Sequence, residues 1–143
     1  MLFPYLPFDA VETPISYGNR MSEFHAGRPF PEVLKDIDIL QNDMVAHKPW
    51  ALERLAQVSG VSIEALRRNT PIPLDHRKYS LRGEIVSAEF LSSPHIVFCP
   101  ACLLEDDQCA GRRVHWSWGL AVVRTCPRHG TALQHQTANS WND

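Results

Sequence analysis

The sequence predicts a mainly α-helical fold joined to a small, metal-stapled subdomain with little β structure. Three observations carry that expectation. Apolar residues recur at helical spacing, between caps and prolines, as far as Pro71; the period fades after Pro73; and two short motifs, "CPAC" and "CPRH", follow in the last third. With 143 residues, 44% hydrophobic and 21% charged, the composition is that of a folded chain rather than a disordered one, long enough for one domain or two small ones. The expected division is an N-terminal arm and helical domain over residues 1–82, then the cysteine-bearing subdomain and a tail over 83–143.

The opening "LFPYLPFDAVE" sets prolines among aromatics, which predicts an extended arm laid over a core. A first helix is punctuated by Thr13 as a side-chain cap, Pro14 in the first turn and Gly27 after the last. Its expected inner face is Ile15, Gly18, Met21, Ser22 and His25, flanked by Tyr17 and Phe24. A second short helix is expected from Pro31, burying Val33, Leu34 and Ile37. Pro49 opens another, bearing Leu52, Leu55, Ala56 and Val58; Ser59 and Gly60 break it. Ser62 then caps a helix with Ile63 and Leu66 inward, and Pro71 ends it. Beyond that, "KYSLRGEIVSAEFL" fits one or two short strands, or a helix from Glu84 to Leu91. The closing "QHQTANSWND" reads as a frayed or trimmed tail.

Two short helices joined by a Gly-containing turn match the helix-turn-helix pattern, which also packs helical cores that never touch DNA. The net charge of −2 makes the chain no polycation, so any nucleic-acid contact needs a local patch. Residues 48–82 supply one, at +4. Arg67, Arg68, Arg77, Lys78 and Arg82 are its candidate phosphate contacts; the plain alternative is a solvated face. No apolar run reaches the roughly 20 residues that span a bilayer, and the start lacks a basic region before an apolar one, so the expectation is a cytoplasmic protein with no membrane partner. There is no Gly-rich phosphate loop, Ser/His/Asp order or H-E-x-x-H. The acidic run Glu105, Asp106, Asp107 lacks the partner carboxylates of a two-metal nuclease, and no catalytic residue is expected.

Paired cysteines in a reducing compartment point to metal or redox chemistry before structural disulfides. Cys99 and Cys102 form a C-x2-C pair, Cys126 and His129 a C-x2-H pair. A tight turn lets both side chains of a pair face one ion, and two such knuckles give the four donors of a tetrahedral Zn2+ site. Four protein ligands leave no open position, which describes one structural zinc ion whose binding adds to folding free energy. The alternative takes "CPAC" as a thiol-disulfide oxidoreductase turn with Cys99 as nucleophile, although that fold normally places the motif early, before a long helix. Cys109, His95, His115 and His135 are near enough to substitute as ligands but lack knuckle spacing. Trp116 and Trp118, with Leu120, Val122 and Val123, are expected to cover the metal site and dock it on the helices.

Taken in order, "FPYLPFDAVE", "SYGNR", "LAQVSGVSIEALRRNTP", "FCPACLLED" and "HWSWGLAVVRTCPRHGTAL" resemble the TniQ family of transposition proteins over roughly residues 2–133. The resemblance implies a helix-turn-helix domain joined to zinc-finger modules. It also implies a non-enzymatic adaptor that links target-site recognition, in some systems an RNA-guided CRISPR complex, to an AAA+ ATPase that recruits the transposase. Cys99, Cys102, Cys126 and His129 fall on the family's first zinc-ligand positions, and Arg20 on the arginine of its first helix. Larger members continue into another cysteine pair and a further helical domain, whereas "LQHQTANSWND" carries no cysteine; a short member, a remnant and a trimmed chain all fit. The first helix also reads "SYGNR", where the family tends to place Trp after the Ser. A protein-interaction module without nucleic-acid binding is the rival reading, and a homodimer is one assembly compatible with the chain.

Overall fold

The computed structural model describes residues 1–91, 95–108 and 111–137. Five helices come first: α1 (Pro14–Ala26), α2 (Phe30–Asp36), α3 (Gln41–Val45), α4 (Pro49–Ser59) and α5 (Ile63–Arg68). Strands β1 (Ile72–Pro73), β2 (Lys78–Leu81) and β3 (Glu84–Ser87) make an antiparallel sheet in the order β1-β2-β3. Strand β4 (His95–Phe98) leads into α6 (Pro100–Asp107) and pairs antiparallel with β5 (Gln134–Thr137), Phe98 opposite Gln134.

The caps of α1 act as expected: Thr13 Oγ1 accepts from the Ser16 N–H at 3.2 Å, and Gly27 ends the helix in a left-handed conformation. Its buried face is rotated from the expected one. Tyr17 and Met21 enter the core and Arg20 is buried with them, while Phe24 stays 55% exposed and His25 half-buried. Two close contacts explain the rotation. A Cβ at Gly18 would stand 2.2 Å from the Phe30 ring, so the missing side chain is what lets α2 seat its first aromatic on α1. On the adjoining side Phe8 meets Tyr17 edge-on at 5.5 Å, and the Tyr17 hydroxyl donates to the Leu6 carbonyl at 2.9 Å. The arm thus lies over the core, with Leu2, Leu6 and Phe8 packed on it.

Helices α4 and α5 are joined by Gly60, Val61 and Ser62. Gly60 is left-handed (φ 79°) and its N–H donates to the Ala56 carbonyl at 2.8 Å; Ser62 Oγ accepts from the Ala65 N–H at 3.4 Å. Leu52, Leu55 and Leu66 are fully buried, whereas Ala56 and Val58 sit at the core margin. Helix α3, which no sequence signal announced, buries Met44 beneath them.

Residues 78–87 form a hairpin rather than a helix over 84–91, with one 3-10 turn, Ala88–Phe90, after it. At the other end, Gln134–Thr137 is a paired strand rather than a frayed tail; the expectation for 138–143 falls outside the described residues. A second core gathers Val97, Cys99, Cys102, Trp118, Cys126 and Leu133. Among the described residues no helix is long and apolar enough to cross a membrane.

A buried ionic network joins the two cores. Glu12, with no exposed surface, pairs with the Arg20 guanidinium and accepts from the Asp9 N–H at 3.0 Å and the Ser16 hydroxyl at 3.3 Å. Burial works against the Arg20 charge, but the Glu12 carboxylate outweighs it and raises the guanidinium pKa. Ser16 Oγ in turn accepts from the Val114 N–H at 2.8 Å, the Thr13 N–H donates to the Val114 carbonyl at 2.9 Å, and Arg113 pairs with Asp9.

Candidate metal centre

Cys99 sits at the N-cap of α6, and Pro100 starts that helix, so one turn brings Cys102 back to the same end. The second knuckle closes by backbone bonds: the Gly130 N–H donates to the Cys126 carbonyl at 2.7 Å and the Cys126 N–H to the Thr131 carbonyl at 2.9 Å. Together they place the ligand atoms of Cys99, Cys102, Cys126 and His129 all within 4.8 Å of one another.

The spacing is that of ligands around one ion. His129 Nδ1 lies 3.7, 3.3 and 3.6 Å from the sulfurs of Cys99, Cys102 and Cys126, and the Cys102 and Cys126 sulfurs are 3.6 Å apart. A tetrahedron with ordinary zinc bond lengths has edges of about 3.8 Å between sulfurs and about 3.6 Å from sulfur to nitrogen. The three cysteines are buried and unpaired by disulfides, and the imidazole is partly covered. The set can therefore hold one metal ion.

Electrostatics around the four groups are set before any ion enters. For Cys99, burial pushes the thiol pKa up, but Thr131 Oγ1 at 3.4 Å, the Cys102 N–H and the neighbouring thiols bring it down to about 6. Cys102 moves the other way: burial, then the nearby sulfurs, raise its thiol. His129 is raised to about 9, chiefly because its Nε2–H donates to Glu105 Oε1 at 2.7 Å. The other Glu105 oxygen takes Arg128 at 3.1 Å, so one carboxylate ties α6 to the second knuckle and fixes which nitrogen of His129 faces the sulfurs.

In the sequence Glu105 stands out only as part of the acidic run Glu105, Asp106, Asp107. A signal existed: Glu105 follows Cys102 by three residues on a helix and so shares its face. Of the other donors considered, the His115 ring stacks on Trp118 at 4.3 Å and His135 is exposed; Cys109 and the side chain of His95 lie outside the described residues. The aromatic cover is divided. Trp118 and Val123 pack on the cysteines, Trp116 turns toward the helical half, and Val122 is 65% exposed.

The basic candidates separate into two groups. Arg67 and Arg68 are exposed on the last turn of α5, where positive charge meets the negative end of the helix dipole, and Arg67 pairs with Glu53 at 3.1 Å. Arg82 joins them around one open concavity of about 610 Å3, lined also by Ile72, Ser80 and Gly83. Arg77 and Lys78 stand at the far end of β2, exposed, about 13 Å along the strand from Arg82.

No curated protein and no solved structure matches this chain. A family comparison does: the TniQ model matches residues 4–133, from the arm through α1 to α6 and past both knuckles, and the chain belongs to the TniQ family.

Proposed function

We propose that this protein is a zinc-binding, non-enzymatic adaptor of DNA transposition. It binds duplex DNA through the α4–α5 pair, and links a target site to an AAA+ ATPase and through it to a transposase. The observation that carries the reading is a Cys3His cluster at tetrahedral spacing inside a chain of a transposition accessory family. Three thiolates and an imidazole suit Zn2+ above the other common divalent ions, and a set with no open position is structural. A redox role for "CPAC" fits less well, because a reactive thiol needs access and Cys99 has no exposed surface.

In this reading residues 1–82 form a helix-turn-helix domain and 83–143 the zinc-finger unit. The order α4, Gly60 turn, α5 and the exposed Arg67 and Arg68 support it. The resemblance supports a target-recognition complex on one side, RNA-guided in some systems, and the ATPase on the other. The rival, a protein-interaction module without nucleic-acid binding, draws on a different feature. A groove of about 580 Å3 runs beside α1, its apolar Leu6 and Phe24 set among Asn19, Arg20, Glu23 and Arg112, and α5 has only six residues with which to enter a DNA groove.

Elemental analysis of the purified protein should find one zinc per chain. Replacing Arg67 and Arg68 together with Ala should weaken duplex binding and flatten its salt dependence, by a slope of about two on a log–log plot. Unchanged isotherms would move the assignment to the interaction module.

A further inference from the structure

Arg82 is exposed, yet it is held on two sides. Its guanidinium lies 4.1 Å over the Trp116 ring, and its Nε and Nη2 donate to Asn69 Oδ1 at 3.2 and 2.9 Å. Asn69 is itself buried, donating to the Ala10 and Glu12 carbonyls, each at 2.8 Å. The backbone is equally constrained: Arg82 and Gly83 both have positive φ, 52° and 84°, the conformation of a two-residue hairpin turn. A long side chain that is ordinarily mobile is here aimed in advance, which lowers the entropy lost when it meets an anion.

What it is aimed at is a concavity whose lining holds no carboxylate, with Arg67 at its rim paired outward with Glu53 at 3.1 Å. Arg67, Arg68 and Arg82 face one concavity, and the Arg82 pKa is pushed down chiefly by burial, with a smaller share from the repulsion of the Arg68 charge. An anion seated among them would relieve that repulsion. Three guanidinium groups, one prealigned, suit phosphate oxygens better than a single carboxylate.

One of the two supports of Arg82, the Trp116 ring, comes from the metal-holding half; the other, Asn69, comes from the helical half. Trp116 belongs to the 3-10 turn Trp116–Gly119, anchored by its N–H to the Val11 carbonyl at 2.8 Å. Two residues on, Trp118 is 1% exposed and packs in the same core as Cys99, Cys102 and Cys126. The turn is thus held from two sides, by the arm through Val11 and by the cysteine core through Trp118, and it holds the ring beneath Arg82.

We propose that Arg67, Arg68 and Arg82 form a cup for a phosphodiester of duplex DNA, and that Trp116 is the positioning residue that makes the cup depend on the metal-holding half. The inference rests on the DNA-binding reading above and deepens it by naming the contact. Arg77 and Lys78 take no part.

The test is fluorescence anisotropy of a labelled duplex titrated with metal-loaded protein: wild type, Trp116→Ala, Trp116→Phe, Arg82→Lys, and the Arg67/Arg68 double Ala variant. Trp116→Ala should keep its metal and bind about 3- to 30-fold more weakly, the span of a lost cation–π contact, with Trp116→Phe between it and wild type. Arg82→Lys, which keeps the charge but not the planar fork, should also weaken binding and decides the matter if Trp116→Ala fails to fold. If the double variant loses affinity while Trp116→Ala and Arg82→Lys bind like wild type, the positioning role is overturned and the DNA reading stands. If wild type shows no salt-dependent binding to duplex, the DNA reading falls and takes the cup with it. Inorganic phosphate competing as well as unlabelled duplex at equal phosphate concentration would overturn the nucleic-acid assignment in favour of a small-anion site.

Discussion

In the helical half, Leu52, Leu55 and Leu66 are sealed among Tyr17, Met21, Phe30, Leu34 and Met44, each buried side chain adding about 1.5–3 kcal/mol of transfer free energy. In the other half, three of the six buried core members among the described residues are the cysteines, so the apolar core is the smaller of the two and a bound ion would add the larger share of its stability. One region holds itself together by area; the other is completed by whatever binds its donors. The comparison teaches that the two should respond differently to the same insult, and that their joint is where each feels the other.

The largest expected effect separates them outright. Structural zinc in small sites binds with an apparent free energy of about 10–16 kcal/mol, as large as the whole stability of an ordinary domain. Stripping the metal with excess chelator, or replacing Cys102 with Ser, should therefore melt the region around Trp118 while most helical signal persists. Near-ultraviolet circular dichroism and tryptophan emission, measured in a Trp50→Phe, Trp141→Phe background so that Trp116 and Trp118 are the emitters, report the first, far-ultraviolet dichroism the second. A Trp118 environment unmoved by chelator would mean that the second core stands without an ion, and the contrast would disappear.

Next in size is damage to the joint. Arg20→Ala leaves Glu12 charged, buried and without its cation, a loss of about 3–5 kcal/mol. Because Ser16 passes the same network to Val114, urea melts followed at Trp118 and by helix signal should both shift to lower denaturant. Adding Glu12→Gln to Arg20→Ala should recover part of the loss, since the stranded charge is gone. A shift confined to one probe would show the halves to be energetically separate.

Legibility in the sequence follows the same boundary. Thr13, Gly27, Gly60 and Ser62 announced helix ends because capping is local chemistry, and the knuckle spacing of Cys99, Cys102, Cys126 and His129 named its own partners. What could not be read depends on distant contacts. Tyr17 turned inward because Phe8 and Phe30 approach α1 from other segments, and Gln134–Thr137 became a strand only because β4 offers an edge. Arg82 carried a charge visible in the sequence, but its clamp by Asn69 and Trp116 is a product of the fold.

The smallest effect probes the metal half from within. In the metal-free protein His129, held up at about 9 by Glu105, carries a proton at neutral pH, and the raised Cys102 thiol carries another. An incoming ion must displace both, so apparent affinity rises with pH, by at least two protons per ion until about pH 9, where the share of His129 ends. Glu105→Gln alters this in two opposing ways. It loosens the ring, which costs about 10- to 100-fold in affinity, and it lets the His129 pKa fall toward an ordinary value near 6.5, which removes the proton's competition. The gap between wild type and Glu105→Gln should accordingly be narrow near pH 7 and widen as the pH approaches 9, a pattern that chelator competition at fixed ionic strength can read. A gap of constant width would mean that the carboxylate orients the imidazole without governing its proton, and a gap that closes with rising pH would remove Glu105 from the site's chemistry altogether.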